Sequence, residues 1–173
     1  MFNDRVLSGM RPTGRMHIGH YHGALRNWIR LQEEHECLFF AADWHALTTH
    51  FDETEAISDT VWEMFVDWLA AGLDPTRATL FIQSRVPEHA ELTLLLGMIA
   101  DTQNLSLGDR ERLFGWLEGA RRVILPEPQP LLTEAPRVPG LDGQKMSKST
   151  GNAIFLREEP AEVTRKVRTM QTD

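Results

Sequence analysis

The sequence predicts an α/β fold in which helices flank a parallel β-sheet. Short apolar segments of strand length alternate with longer segments of helical periodicity, and this order is typical of βαβ units. One of the short segments, Cys37 to Ala42 (CLFFAA), is apolar without interruption, as expected for a strand that is covered on both faces. In sheets of this kind ligands bind outside the carboxyl ends of the strands.

The composition is that of an ordinary globular protein. The chain has 173 residues with 18 basic and 25 acidic side chains, and its net charge is -7. A chain of this length buries roughly 70% of the surface that it exposes when unfolded. We therefore expect one domain over residues 1–173, with a first half (1–99), a junction and helix (100–125) and a proline-rich connector, polar loop and terminal helix (126–173).

Several classes of protein are disfavoured by the same composition. The single cysteine, Cys37, cannot form an internal disulfide, and no apolar segment is long enough to span a membrane. The first residues lack the pattern of a secretory signal, so we expect a cytoplasmic protein without membrane contacts. The acidic balance argues against a protein that coats nucleic acid through bulk charge, although a local basic patch remains compatible with it.

The first half of the chain contains three predicted strands and three predicted helices in alternation. In chain order these are a strand at 5–8, a helix over about 18–29, a strand at 37–42, a helix from Asp52 to Gly72, a strand at 78–83 and a helix at 87–99. Apolar residues three and four positions apart give each helix a buried face. On the third helix this spacing predicts that Leu92, Leu95, Leu96 and Ile99 face inward.

The second half is less regular. Ser106 is a candidate cap for a helix that ends near Gly119, and Val123 to Leu125 is a short apolar segment. Five of the nine prolines lie between residues 126 and 139, which predicts an extended connector. A glycine-framed polar loop, the segment Ile154 to Leu156 and a helix from about Pro160 to Thr169 follow.

Two segments contain the candidate chemistry. In GMRPTGRMHIGHYHG (residues 9–23), glycines precede a predicted helix start that has His17 and His20 beside it, and helix starts bind phosphate. In GQKMSKSTGN (143–152), two lysines alternate with serines, and such cations stabilise charge that grows during phosphoryl or adenylyl transfer. Taken singly, each segment is more often a plain surface turn or solvated loop than a binding site.

Together these motifs resemble those of a known family. HIGH (17–20) followed by KMSKS (145–149) resembles the signature pair of class I aminoacyl-tRNA synthetases, and the flanks SGMRPTGRMHIGHYHGAL and ADWHALTTHF resemble the tryptophanyl group, with tyrosyl enzymes as close relatives. The resemblance covers residues 5–99 and 103–170. It implies a Rossmann-like sheet that is incomplete relative to the family.

The resemblance also implies roles for individual residues. The residues expected to bind ATP are Arg11, Pro12, Thr13, Gly19, His20, Val138, Lys145, Met146, Ser147, Lys148 and Ser149. The catalytic candidates are His17, His20, Lys145 and Lys148, of which Lys148 is the best candidate for stabilising displacement at the α-phosphorus. Gly9 and His45 match positions that line the amino-acid pocket, although a histidine in this place is equally often a hydrogen-bonded core residue. No metal ligand is expected from the protein, because Mg²⁺ would arrive with ATP.

The implied reaction is the activation of tryptophan by ATP and its transfer to the 2′-OH of the terminal adenosine of tRNA, without a protein nucleophile. Between the counterparts of Ile99 and Thr102 the family has a connecting segment and a G-x-D-Q signature that are absent here, together with a carboxylate that bonds the indole N–H. We therefore expect impaired selectivity. The family also continues beyond the counterpart of Asp173 into an anticodon-binding domain, so we expect no anticodon recognition.

Contacts with partners are expected to be weak and local. The candidates for binding tRNA phosphates are Arg165, Lys166 and Arg168, but such clusters are more often a solvated helix face. The missing segment would leave apolar surface uncovered, so we expect self-association or marginal stability. Two alternatives to a ligase are another nucleotidyltransferase with a HIGH-type loop and a non-catalytic nucleotide-binding remnant.

Overall fold

The computed structural model describes residues 4–52, 54–98, 129–133 and 137–171. The chain divides into two compact units. The first consists of Met1–Arg85 and Leu132–Asp173, and the second of Val86–Leu131. The first unit contains the sheet and both of the candidate motifs, and the described part of the second contains one helix.

The first unit is built on a parallel sheet of three strands in the order β1-β2-β3. β1 is Arg5–Met10, β2 is Glu36–Ala41 and β3 is Ala78–Ile82. Each strand lies within two residues of its predicted bounds, and the parallel pairing confirms the predicted α/β class. The register pairs Gly9 with Phe40, so the end of β1 lies beside the end of β2.

The helices predicted for the described residues occur in the predicted order, and a one-turn helix after β2 occurs in addition. They are α1 (Ile18–His20), a π-helical turn (Tyr21–Leu25), α2 (Arg26–Leu31), α3 (Asp43–Ala46), α4 (Thr54–Ala71), a 3₁₀ turn (Gln83–Arg85), α5 (Glu88–Gly97) and α6 (Pro160–Arg168). α4 is followed by Gly72, whose φ of +116° ends the helix as expected. Residue 53 is not described, so the cap predicted at Asp52 stays a prediction.

The core lies between the sheet and the helices of the first unit. The Trp28 ring stacks on Phe39 with centroids 4.5 Å apart, and Trp68 of α4 meets Trp28 edge to face. Ile57 and Val61 of α4 are buried as predicted. Leu69 was expected on the same face and is 47% exposed, because it lies one position beyond the buried stripe that ends at Trp68.

In the second unit, the predicted inward face of α5 is wrong. Leu92 and Leu95 are 53% and 57% exposed, and Leu96 is only half-buried. The helical spacing places these leucines together, but spacing does not supply a partner, and Leu94 beside them is also exposed. Ile99, the predicted helix from Ser106 to Gly119 and the segment Val123 to Leu125 lie outside the described residues.

The end of the chain agrees with prediction. Residues 129–133 contain neither helix nor strand, as expected for a proline-rich connector. Ile154 and Leu156 pair with the segment before α1, through the Ile18 N–H on the Ile154 carbonyl and the Leu156 N–H on the Met16 carbonyl. Among the described helices, none combines the length and the apolar character that crossing a membrane requires.

Candidate functional site

Two loops of the first unit enclose one cleft of about 480 Å³. The nucleotide loop (residues 11–17) follows β1, and the lysine loop (145–149) precedes the segment 154–156 that pairs with its end. The residues that line the cleft are Arg11, Thr13, His17, Gly19, His20, His50, Arg137, Val138, Lys145, Met146, Ser147, Lys148 and Ser149. The structure thus brings together the two motifs, which are far apart in sequence.

The start of α1 holds the two histidines against each other. The His17 N–H donates to Nδ1 of His20 at 3.2 Å, and the centroids of the two rings are 3.8 Å apart. His17 is 6% exposed, and its Nδ1 atom has no hydrogen-bond partner among the described residues. Gly19 follows, and a Cβ placed on it would lie 2.9 Å from the His17 ring, so the first turn of α1 has no space for a larger residue.

Both histidines are held neutral near pH 7. Burial, the neighbouring His17 and the charge of Lys148 lower the pKa of His20 to about 3. Burial and then Lys148 also lower the pKa of His17. A neutral imidazole keeps one N–H donor and one acceptor, so these rings can bind phosphate oxygens without adding a full charge.

Asn152 fixes the shape of the lysine loop. It is 4% exposed, and its Oδ1 accepts the Ser147 N–H at 2.8 Å. Its Nδ2 donates to Asp142 at 2.6 Å and to the Lys145 carbonyl at 3.2 Å. The bond from Asn152 lowers the pKa of Asp142 and keeps this carboxylate ionised. The loop is therefore held by a buried amide rather than by regular secondary structure.

Lys148 joins the two loops directly. Its Nζ donates to the carbonyl of Thr13 at 3.2 Å and to the carbonyl of Gly14 at 2.8 Å. Burial lowers the pKa of this ammonium to about 8. The Ser147 and Ser149 hydroxyls, 3.0 Å apart, lie on the same loop. The ammonium is thus at the cleft wall before any ligand is bound.

The charges around the cleft have one sign. Arg11, Arg137, Lys145 and Lys148 contribute four cations, and none of the described residues that line the cleft is acidic. A concave site of this composition attracts polyanions. Neutral histidine donors, a helix start and the ammonium groups of lysines are the kinds of group that bind a triphosphate.

Three of the predicted binding residues lie outside the cleft lining. The ring of Phe40 covers Gly9, so that a Cβ on Gly9 would lie 2.4 Å from Phe40 Cζ. His45 is exposed and is bonded through Nδ1 to the side-chain amide of Gln83, so it is not the buried core histidine of the alternative considered above. The Pro12 side chain is fully buried. The roles predicted for these three residues stay predictions.

Two cleft residues were missed from the sequence. His50 lies four residues beyond α3, and its Nδ1 bonds the Thr49 hydroxyl at 2.8 Å. Arg137 directly precedes Val138. His50 lies within the flank ADWHALTTHF that resembles the family, and this flank was a usable signal for it. A basic residue beside a predicted adenine contact was a usable signal for Arg137.

A metal site was not found in the described residues. They contain no group of three or more His, Cys, Asp or Glu side chains that is placed to hold a metal ion. The lining of the cleft offers nitrogen cations and hydroxyls, which are poor ligands for Mg²⁺. A divalent ion in this cleft would need its oxygen ligands from a bound phosphate group.

A family model and individual proteins match the chain. The model for tRNA synthetases class I (W and Y) matches residues 3–107 and 111–173. The tryptophan–tRNA ligase of Ralstonia nicotianae is 43% identical, with 100% of this chain and 73% of the relative covered. That of Aquifex aeolicus is 35% identical, with 98% and 73% covered.

The alignments also reveal a difference in length. The match to the Ralstonia nicotianae protein extends over 293 positions, whereas the chain has 173 residues. The relative therefore has many residues inside the aligned range that lack a counterpart here, in agreement with the predicted loss of an internal segment. The family-model match is interrupted at residues 108–110, close to the predicted junction.

The fold has a solved counterpart. The tryptophanyl-tRNA synthetase of Campylobacter jejuni, in a structure complexed with ADP and tryptophan, has a TM-score of 0.72 and 21% identity. The superposition covers 98% of this chain and 68% of that one. At this level of identity the match establishes the fold alone, and it confirms the Rossmann-like sheet.

Proposed function

The chain belongs to the tryptophan and tyrosine group of class I tRNA synthetases, and we propose that it is a tryptophan–tRNA ligase catalytic core with impaired selectivity. The observation that supports this proposal best is the cationic cleft shared by the nucleotide loop and the lysine loop. ATP has the matching chemistry, since its triphosphate needs several cations and its adenine needs a backbone edge such as that of Val138.

The residues of the cleft act by positioning and by charge. A tryptophan carboxylate oxygen attacks the α-phosphorus of ATP, the bond to the β-phosphate oxygen breaks, and pyrophosphate leaves with the electron pair. Lys148 and Lys145 stabilise the charge that grows on the phosphates, while Arg11 and the neutral His20 hold them in place. No side chain forms a covalent bond in this step.

Mg²⁺ is proposed only as a companion of ATP. The described cleft residues supply no carboxylate, so the ion would be bound by phosphate oxygens and water. In that position it would neutralise part of the triphosphate charge. The lysines and arginines of the cleft would neutralise the rest.

The second step, transfer of the tryptophanyl group to tRNA, has weaker support in the structure. Arg165 pairs with Glu162 within α6, and the Lys166 ammonium is bound by Glu158 and the Ala153 carbonyl. The Lys166 side chain is 13% exposed, so it is poorly placed to meet a phosphate. Contact of this chain with tRNA is therefore proposed to be weak and local.

Selectivity and self-association are proposed from the missing internal segment. Without the carboxylate that bonds the indole N–H, the preference for tryptophan over tyrosine should be small, because large discrimination depends on a buried hydrogen bond. The exposed leucines of α5 form an apolar surface of the type that associates. A second copy of the chain is the proposed partner.

ATP–pyrophosphate exchange tests the function. We expect exchange that needs an added amino acid, with tryptophan only slightly preferred over tyrosine, and that falls at least about 100-fold in Lys148→Ala, the loss expected for one preorganised donor. Arg165→Ala is the matched control, because it removes a cation outside the cleft, and it should keep the wild-type rate. Exchange that is insensitive both to the amino acid supplied and to Lys148 would refute the ligase assignment.

The non-catalytic alternative has its own signature. Calorimetry with ATP and the same three proteins separates binding from chemistry. A remnant would bind ATP without supporting exchange with either amino acid. Exchange supported by tyrosine and not by tryptophan would instead identify a tyrosyl enzyme.

A further inference from the structure

A buried carboxylate on α4 binds the chain just after the lysine loop. The Arg157 Nε lies 2.9 Å from Asp67 Oδ1, and its Nη2 lies 3.2 Å from Glu63 Oε2. Asp67 and Glu63 are four residues apart on α4, so both face Arg157. The Asp67 side chain is 6% exposed, whereas the other two are nearly half exposed.

Arg157 also continues into the nucleotide loop. Its backbone carbonyl accepts a hydrogen bond from Arg15 Nη2, and Arg15 lies over the ring of Phe155 at 5.5 Å. Arg15 is two residues before His17, the first histidine of the cleft. The guanidinium of Arg157 thus reaches α4 while its backbone reaches the nucleotide loop.

A short antiparallel ribbon lies between these contacts and the cleft. Residues 16–18 pair with 154–156 through an isolated bridge of His17 with Phe155 and the two backbone bonds that flank it. Asn152, which shapes the lysine loop, comes two residues before this ribbon. Any movement of residues 154–157 would therefore displace both Asn152 and the backbone beside His17.

The contact of Arg157 with Asp67 and Glu63 is poorly explained by a contribution to stability alone. The buried Asp67 carboxylate loses its hydration, whereas Arg157 and Glu63 are nearly half exposed, so solvent weakens their attraction and the net gain in stability is small. Burial outweighs Arg157 and raises the pKa of Asp67 above its ordinary value, so Arg157 offsets only part of the desolvation of this carboxylate. What the pair supplies is a fixed position for Arg157 on α4.

We propose that Arg157 is a positioning residue, which anchors the ribbon to Asp67 and Glu63 of α4 and thereby holds the lysine loop over the ATP cleft. The proposal rests on the proposed function for its catalytic consequence. Its structural part, the ordering of residues 145–152 by Arg157, is independent of the reaction. Arg157 lies outside the cleft lining and acts through the loop.

Amide hydrogen exchange of residues 145–152, followed by mass spectrometry without ATP, tests the structural part. In Arg157→Ala we expect these amides to exchange at least about tenfold faster. The loop can then open without first breaking the ion pairs of Arg157 with Asp67 and Glu63, so the open state costs less free energy. Arg157→Lys keeps the charge and should recover most of the protection. Arg165→Ala removes an exposed arginine whose ion pair with Glu162 lies within α6, and it should leave residues 145–152 unchanged.

Pyrophosphate exchange kinetics on the same proteins test the catalytic part. In Arg157→Ala we expect the KM for ATP to rise at least about tenfold, in line with the cost of lost positioning. A lower melting temperature with unchanged protection of 145–152 and unchanged KM would overturn the proposal, because the pair would then be structural only. Equal effects in Arg165→Ala would also overturn it.

Two further outcomes keep the tests separate. If Arg157→Ala fails to fold, Glu63→Gln, which removes one of the two carboxylates that hold Arg157, decides. Faster amide exchange of residues 145–152 in that variant supports the anchor, and wild-type protection together with a wild-type KM contradicts it. Loss of protection in Arg157→Lys with an unchanged KM contradicts the proposal. If the wild-type chain shows no pyrophosphate exchange, the ligase assignment fails while the hydrogen-exchange result still supports or refutes the anchor.

Discussion

The ammonium nitrogen of Lys148 lies 2.8 Å from the carbonyl oxygen of Gly14. This bond closes the lysine loop onto the nucleotide loop and leaves the cation at the cleft wall. A backbone carbonyl is a weaker partner for an ammonium than a phosphate oxygen. Bound ATP is therefore expected to draw Lys148 away from Gly14 toward its phosphates. In the free protein the bond to Gly14 keeps the ammonium beside the cleft.

The first prediction concerns the pH dependence of exchange. Because burial lowers the pKa of Lys148 to about 8, the free protein loses this cation as pH rises through 8. We expect kcat/KM for ATP to fall above pH 8, whereas an ordinary lysine would keep it constant to about pH 10. Lys148→Arg, which stays charged, should show a flat profile over the same range. A wild-type profile that is flat to pH 10 would contradict this prediction.

A second prediction concerns acid stability. The pKa of His20 is about 3 in the folded protein and 6.5 in the unfolded chain, so only the unfolded chain takes up this proton between these values. The free energy of unfolding should therefore decrease as pH falls from 6.5 toward 3. His20→Asn should lose less stability than the wild type over that window. Urea unfolding at pH 7 and pH 4.5 measures the change in the free energy of unfolding for each protein. An equal change in the wild type and in His20→Asn would exclude His20 as the cause.

Gly9 gives a third prediction. A Cβ on Gly9 would lie 2.4 Å from the Phe40 ring, and Phe40 stacks on Phe81, so the ring has little freedom to move. Gly9→Ala should reduce the free energy of unfolding by about 1–3 kcal/mol. Gly23→Ala is the matched control, since no atom lies within 4 Å of its added Cβ. Equal melting temperatures for the two variants would show that the Phe40 ring moves aside at little cost, and would contradict the prediction.

Asn152 gives a fourth prediction. Its buried amide accepts the Ser147 N–H and donates to the Lys145 carbonyl, so Asn152→Ala removes both bonds, at a cost of about 1–3 kcal/mol for the half-buried N–H that it leaves unpaired. We expect faster amide exchange in the lysine loop and weaker ATP binding. Thr150→Ala removes an exposed hydrogen bond from the Thr150 hydroxyl to the Ser147 carbonyl of the loop and should have little effect on either measurement. Unchanged ATP affinity in Asn152→Ala would show that the loop keeps its shape without this amide.

A fifth prediction concerns self-association. Leu94 and Leu95 of α5 are 67% and 57% exposed, and burying them in a second copy would remove apolar surface from water. Sedimentation should show a mass that rises with protein concentration, and the double variant Leu94→Lys, Leu95→Lys should sediment as a monomer. Trp62→Lys, at an exposed position on α4, should associate like the wild type. A monomeric wild type at all concentrations would contradict the prediction.

Local patterns were sufficient to predict the strands and most helices. β2 was predictable because a continuous apolar run is characteristic of a parallel strand, although only one of its faces is fully buried and Leu38 and Phe40 on the other are half-buried. α4 was predictable because its buried residues repeat at helical spacing up to Gly72. The face of α5 was not predictable, because its leucines are spaced regularly while the surface that would cover them is not encoded in their spacing.

The site was predictable where it coincides with the motifs. His17, His20 and the lysine loop all line the cleft, as their order and flanks implied. His50 and Arg137 line it because the tertiary fold brings them there, and neither belongs to the HIGH or the KMSKS segment. The coverage of Gly9 by Phe40 likewise depends on the register of β1 with β2, which no local pattern reveals.

The central claim, that the nucleotide loop and the lysine loop form one ATP site, is tested most directly by the dissociation constant of ATP. Isothermal titration of the wild type, Arg11→Ala, Lys145→Ala and Arg165→Ala compares one cation from each loop with a cation outside the cleft. We predict that Arg11→Ala and Lys145→Ala each weaken ATP binding at least about tenfold, as expected for a charged hydrogen bond, and that Arg165→Ala leaves it unchanged. ATP binding that survives the loss of either Arg11 or Lys145 without change would contradict a shared site.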